Sequence, residues 1–276
     1  MKILALNGGG MRGALHVGAI QKLSEFHNEK YLYKVFNEGI YGISIGAIIG
    51  SAIAFGFSAD ELPGILNEIS DIQKVFQSVS LSSILTARDR KGMDDGSSLF
   101  VFLKEVFQRH NLDLSSLKIK DALVPLHIIA SDLTNIKAVR FSGEILLWDA
   151  LRASFALPFV FTPHRIKEKT YIDGAIMCEN ISLAIPKKDR RNTMFLLCYT
   201  SDVSDYIFLL MNCRAIRGIK QIQDAYPDNT CLLTENETPL FFLKNIPETL
   251  KHLQETGYLC MSDFLSRNES LDQAPK

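Results

Sequence analysis

Apolar residues in this chain fall into short runs cut by glycine-rich or polar turns, and the spacing within the runs alternates between strand-like and helical. Lys2-Ile3-Leu4-Ala5-Leu6 reads as a short buried strand that runs into Asn7-Gly8-Gly9-Gly10-Met11-Arg12-Gly13. A helix follows, with Ala14, Leu15, Val17, Ile20, Leu23 and Phe26 at helical spacing. The segment from Tyr31 to Tyr41, carrying Leu32, Val35, Phe36 and Ile40, predicts a second strand that ends at a turn around Ser44. Beyond the turn, Ala47 to Phe55 is apolar on nearly every face, as a buried helix should be. Ser58-Ala59-Asp60-Glu61 has the form of a capping box opening a helix to about Phe76. A polar stretch, Thr86 to Ser98, precedes a helix with Leu99, Phe102, Leu103, Val106 and Phe107 on one face. Leu126 to Leu133 and Ala138 to Ser142 form a predicted hairpin, and Trp148 to Pro158 a short helix stopped by its proline. Tyr171-Ile172-Asp173 and Met194 to Tyr199 are further strands. The remainder is expected to be mainly helical, including an amphipathic segment from Pro247 to Leu259, up to a polar tail from Glu269 to Lys276.

Composition narrows the reading. The 276 residues are 47% hydrophobic and 22% charged, which suits one sizeable globular core. A formal net charge of -1 removes long-range attraction to nucleic acid or anionic lipid as a theme, so contact with a membrane would be local and apolar. Cys178, Cys198, Cys213, Cys231 and Cys260 show no paired spacing, which argues for free thiols and against a zinc site or disulfide framework. Asp94 and Asp95 lack the alternating spacing of a calcium loop and read as a solvated loop with a helix cap. The apolar stretch after Lys2 is too short for a signal peptide, and the run from Ile45 to Phe57 is shorter than a membrane span. A soluble, cytoplasmic-type chain is expected.

Three places carry chemistry. Gly42-Ile43-Ser44-Ile45-Gly46 is a Gly-x-Ser-x-Gly nucleophile elbow, which sets a serine on a strained strand-to-helix turn and needs small neighbours. The Gly8 to Gly13 turn presents backbone N–H groups at a helix start, suited to a bound phosphate or to a developing oxyanion. Gly8-x-Gly10-x-x-Gly13 also fits a dinucleotide fingerprint, which needs an acid after the second strand; Glu38 is the nearest. Tyr171-Ile172-Asp173-Gly174-Ala175 delivers a carboxylate at a strand end, although an Asp-Gly turn alone is common. Phe159, Val160 and Phe161 are core residues on the bland reading and a rim meeting a membrane on the functional one.

The glycine turn, the Ser44 elbow, Ala150-Leu151-Arg152-Ala153-Ser154 with Pro158 and Pro163, and Asp173-Gly174-Ala175 occur together in the order that resembles a patatin-like phospholipase domain. The resemblance covers roughly residues 1–200, the expected catalytic domain, with 201–276 an additional helical part packed on it. It implies a three-layer α/β/α fold with a central, mostly parallel sheet and extra C-terminal helices. It also implies a metal-independent and cofactor-free lipid acyl hydrolase of phospholipase A type. Ser44 would be the nucleophile and Asp173 the base, with Gly8, Gly9, Gly10, Met11, Arg12 and Gly13 forming the oxyanion hole. Gly42 and Gly46 would shape the elbow, Gly174 and Ala175 the aspartate turn, and His16 would have a structural role. The implied partners are a phospholipid or other acyl lipid and, transiently, a membrane surface; some family members also need an activating protein. An aspartate at its ordinary pKa of about 3.9 is a weak base, so Asp173 should be desolvated. Competing readings are an α/β-hydrolase triad using His252 or His164, a nucleotide-binding module, and a catalytically silent lipid-binding scaffold.

Overall fold

The computed structural model describes residues 1–68, 92–199, 206–235 and 246–272. Its central sheet runs β10 (Thr230–Thr234), β9 (Thr193–Tyr199), β1 (Ile3–Leu6), β2 (Gly39–Ile43), β4 (Leu126–Asp132), β8 (Lys169–Asp173) and β7 (His164–Ile166), with β5 (Lys137–Phe141) also paired to β4. The five strands from β10 to β4 are mutually parallel; β5 and β8 run antiparallel to β4. A separate parallel pair joins β3 (Gly92–Asp94) to β6 (Phe159–Phe161). The fold is therefore α/β with a mostly parallel sheet, as the resemblance implied.

Side chains alternate across each strand, and this divides the core in two. Leu4, Leu6, Ile40, Leu126, Ile128 and Ala130 face α1 (Gly13–His27), α2 (Ile45–Ala54), α3 (Ser97–Gln108), α4 (Leu147–Ser154) and α6 (Ile246–Asp272). Ala5, Tyr41, Ile43, Ile129, Phe195 and Leu197 face the other way, towards α5 (Tyr206–Ala225) and residues 178–185. Nearly all of α2 is buried, which is why its sequence shows no polar face.

Three elements differ from the sequence reading. The second strand is confined to Gly39–Ile43, because residues 32–34 form a turn of 3-10 helix. In the C-terminal part, read as mainly helical, Thr230–Thr234 adds an edge strand beside β9. The Ser58–Glu61 pattern does fold as a cap, the Glu61 carboxylate accepting from the Ser58 N–H at 2.8 Å and from its hydroxyl at 2.7 Å. The expected end of that helix near Phe76 and the polar stretch from Thr86 to Lys91 lie outside the described residues. Asp95 accepts from the Ser97 N–H at 2.9 Å just ahead of α3, but Asp94 ends strand β3 and pairs with Phe161, so the polar stretch read as a solvated loop is in part a strand.

Candidate active site

Ser44 sits between the end of β2 and the start of α2 with φ +55° and ψ −125°, a backbone conformation costing on the order of 1–3 kcal/mol for a non-glycine residue. The neighbouring glycines make that turn sterically feasible. A Cβ on Gly42 would fall on the backbone of Ala47, and one on Gly46 would come 2.5 Å from the carbonyl oxygens of Leu6 and Asn7. The Ser44 N–H donates to Ser154 Oγ at 2.9 Å, and that hydroxyl donates to the Ile129 carbonyl at 2.6 Å. Ser154, fully buried on α4, thus ties the elbow to β4. The sequence motif containing Ser154 was legible, but its role as the support of the Ser44 amide was not.

Strand pairing brings Asp173 to the same place. On β4, Ile129 pairs with Ile43 of β2 and the next residue, Ala130, pairs with Asp173 of β8. Because β5 occupies β4's other edge at those residues, β2 and β8 lie on one edge and point at each other tip to tip. Ser44 follows one tip and Asp173 is the other. The Asp173 carboxyl, only 2% exposed, lies close enough to the Ser44 side chain for that hydroxyl to favour its ionised form, and it accepts from the Ala175 N–H at 2.9 Å. Burial raises its pKa from 3.8 to about 6, and those two neighbours limit the rise.

The glycine turn stands on the other side of Ser44: a Cβ on Gly8 would lie 3.2 Å from that of Ser44. Gly10 takes a φ of +54°, and residues 10–12 coil into one turn of 3-10 helix ahead of α1. The Arg12 N–H returns to the Gly9 carbonyl at 3.0 Å, and that of Gly13 is spent inside the same turn. Arg12 itself is buried, at 4% exposure, which separates its side chain from a lipid phosphate in bulk solution. Beneath the turn, the Asn7 side chain bridges Cys198, accepting from its N–H at 2.8 Å and donating to its carbonyl at 3.0 Å. His16, fully buried, places Nε2 3.1 Å from the Asn7 carbonyl and 3.3 Å from Cys198 Sγ. Burial lowers its pKa to about 4, so it is neutral and structural at ordinary pH.

Other residues singled out in the sequence lie elsewhere. Glu38 precedes β2, at the opposite end of the strand from the glycine turn, and accepts from Asn192 at 2.8 Å. A ribose-binding acid would have to follow the strand, so the dinucleotide reading loses its acid. His164 pairs with Asp149 at 2.9 Å and His252 is exposed on α6, whereas Asp173 is the carboxylate that the strand register brings beside Ser44. Phe161 packs edge-to-face against Phe155 and lies under the Arg152 guanidinium. Arg152 in turn fastens the β3–β6 pair, donating to the Asp95 carbonyl at 2.9 Å and the Thr162 carbonyl at 2.7 Å. Phe159 is 72% exposed with φ +71°, so the aromatic segment divides between core and surface.

The model of the patatin-like phospholipase family matches residues 4–185, which include both Ser44 and Asp173. The chain belongs to the patatin-like phospholipase family. An uncharacterized protein of Acanthamoeba polyphaga mimivirus is 27% identical over 256 residues, 86% of this chain and 84% of that protein. A cUMP-AMP-activated phospholipase of Escherichia coli is 26% identical over 158 residues, 57% of this chain and 42% of that protein. In fold, the chain is similar to VipD from Legionella pneumophila, with a TM-score of 0.56 and 16% identity, covering 97% of this chain and 67% of that one. Family membership makes this patatin-like chain a lipid hydrolase in broad class. Among its described residues no helix is long and apolar enough to cross a membrane.

Proposed function

We propose that this patatin-like protein is a lipid acyl hydrolase of phospholipase A type that cleaves fatty-acyl esters through a Ser44–Asp173 dyad. The observation that carries the reading is the tip-to-tip meeting of β2 and β8, which brings a strained serine next to a buried carboxylate. Asp173, with its pKa raised to about 6, is ionised at neutral pH yet basic enough to take the Ser44 proton as Oγ attacks the ester carbonyl. The tetrahedral oxyanion then faces the glycine turn. With the amides of Arg12 and Gly13 committed inside the turn, those of Gly9, Gly10 and Met11 are its donors. Each such donor is worth on the order of 3 kcal/mol in comparable sites. Asp173 gives the Ser44 proton to the leaving alcohol oxygen as the tetrahedral intermediate collapses to the acyl-enzyme; water then attacks the acyl carbon, Asp173 taking its proton and passing it to Ser44 Oγ as the fatty acid leaves.

The exposed Phe159, five residues beyond Ser154, suits an apolar rim that meets the membrane while the dyad works. The assay is fatty-acid release from mixed phospholipid vesicles in EDTA by wild type and Ser44→Ala, run with and without cell extract and a cyclic dinucleotide, since one relative is named for such an activator. Release that depends on Ser44 is the expected result. Equal release by both proteins under every condition would refute the dyad.

A further inference from the structure

Among the described residues six non-glycines take a positive φ. Asn28 and Asn111 tolerate it, because a short amide side chain fits the left-handed region, and Ser44 is the nucleophile of the proposed dyad. The other three are Ile136 at +51°, Phe159 at +71° and Lys167 at +54°. A β-branched side chain is especially costly in that region, and glycine or asparagine would turn the chain with less strain. Ile136 is nevertheless 72% exposed, so no packing offsets its strain. It stands at the tip of the β4–β5 hairpin, and Lys167 at the tip of the β7–β8 hairpin.

Register places both tips at the dyad's end of the sheet. β4 passes Ala130, which pairs with Asp173, and beyond Asp132 reaches the first tip, residues 133–136. On β8, Lys169 precedes Asp173 by four residues, about 13 Å of strand, so the second tip projects past the dyad in the same direction. The two tips are tied together. The Leu133 N–H donates to the Thr170 carbonyl at 2.9 Å, and the Thr170 N–H to Thr134 Oγ1 at 3.1 Å. At their base the buried Asp132 carboxylate accepts from the Thr134 and Asn135 N–H groups at 2.9 and 3.0 Å and lies 3.9 Å from Lys169 Nζ. Lys137, Arg165, Lys167 and Lys169 are exposed on these hairpin ends beside Ile136, against one exposed acid, Glu168.

We infer that the two tips are a docking surface for a bilayer containing anionic phospholipid, with Ile136 entering the boundary between headgroups and acyl chains and the four cations meeting headgroup phosphates. The inference takes from the hydrolase reading above the reason for meeting a membrane at this end of the sheet. A formal net charge of -1 gives the chain as a whole no attraction to such a surface, so the positive excess has to be local, as it is here. Narrow projecting tips suit a fluid bilayer, which closes around a protrusion, better than a protein surface, which would have to be shaped to them.

The test is flotation with vesicles of phosphatidylcholine alone and of phosphatidylcholine with phosphatidylglycerol in equal parts, using Ser44→Ala protein so that the lipid stays intact. Each basic residue near an anionic surface contributes about fivefold in affinity. Binding should be strong only on the mixed vesicles, fall steeply with salt, and weaken about a hundredfold when Lys137→Gln, Arg165→Gln and Lys167→Gln are combined. Ile136→Gly should bind about tenfold less while melting slightly higher, a pair of changes that a purely structural isoleucine would not give. Equal binding to both kinds of vesicle, or unchanged binding in the folded triple variant, would overturn the inference. Binding to neither would also overturn it and turn the tips towards an acidic protein partner. Should the triple variant not fold, salt decides: binding to the mixed vesicles that salt leaves unchanged overturns the inference. Because binding is read without turnover, the expected pattern in a protein whose Ser44 form releases no fatty acid would remove the hydrolase reading alone.

Discussion

Replacing Asp173 with asparagine should stabilise the protein at alkaline pH while abolishing its activity. The carboxyl is 2% exposed and its pKa rises from 3.8 to about 6 on folding, chiefly through desolvation. An acid whose folded pKa is raised binds its proton more tightly in the native state. Its favourable contribution is fully present below pH 3.8 and is lost as pH rises through about 6. At about 1.4 kcal/mol per unit, ionising Asp173 costs the native state about 3 kcal/mol at pH 8 and about half that at pH 5. Asparagine mimics the neutral acid and keeps an oxygen for the Ala175 N–H. Asp173→Asn should therefore melt roughly 5–10 °C above wild type at pH 8, with the gap narrowing by about half at pH 5. The assay is paired thermal melts across that range, in which other titrations cancel between the two proteins. A gap independent of pH, or a variant less stable at pH 8, would refute the argument that the site holds a desolvated carboxylate.

Two further outcomes follow from the geometry. Ser154→Ala leaves the Ser44 N–H without its 2.9 Å partner, which should cost about 1–3 kcal/mol in stability and lower kcat more than it raises KM; unchanged melting and kinetics would remove Ser154 from the support of the elbow. Phe159→Gly should relieve the φ of +71° and raise the melting temperature slightly, while lowering the ratio of vesicle to monomeric-ester hydrolysis; an unchanged ratio would rule out Phe159 as membrane rim.

The parts of this site legible in the sequence are those that a few consecutive residues determine. Gly42 and Gly46 announce the elbow because no larger side chain fits against Ala47 and the Leu6 and Asn7 carbonyls. The Gly8 to Gly13 turn announces itself between an apolar strand and an apolar helix in the same way. Asp173-Gly174 alone reads as any turn. What joins it to Ser44 is the register of β4, which pairs consecutive residues with two different strands, and local spacing carries no trace of that. Ser154 and the Asn7–Cys198 clamp were hidden for the same reason, being contacts across 110 and 191 residues. Thr230–Thr234 was missed because five residues between helical segments give too short a period to distinguish strand from loop.

The central claim, a serine activated by a desolvated aspartate, is tested most directly by the pH dependence of Ser44 labelling with a fluorophosphonate, located by mass spectrometry. Ser44 should be modified at a rate that rises with pH to half its maximum near 6, with slow labelling lacking that limb in Asp173→Asn. Labelling of Ser44 that follows the same pH curve in both proteins would contradict it.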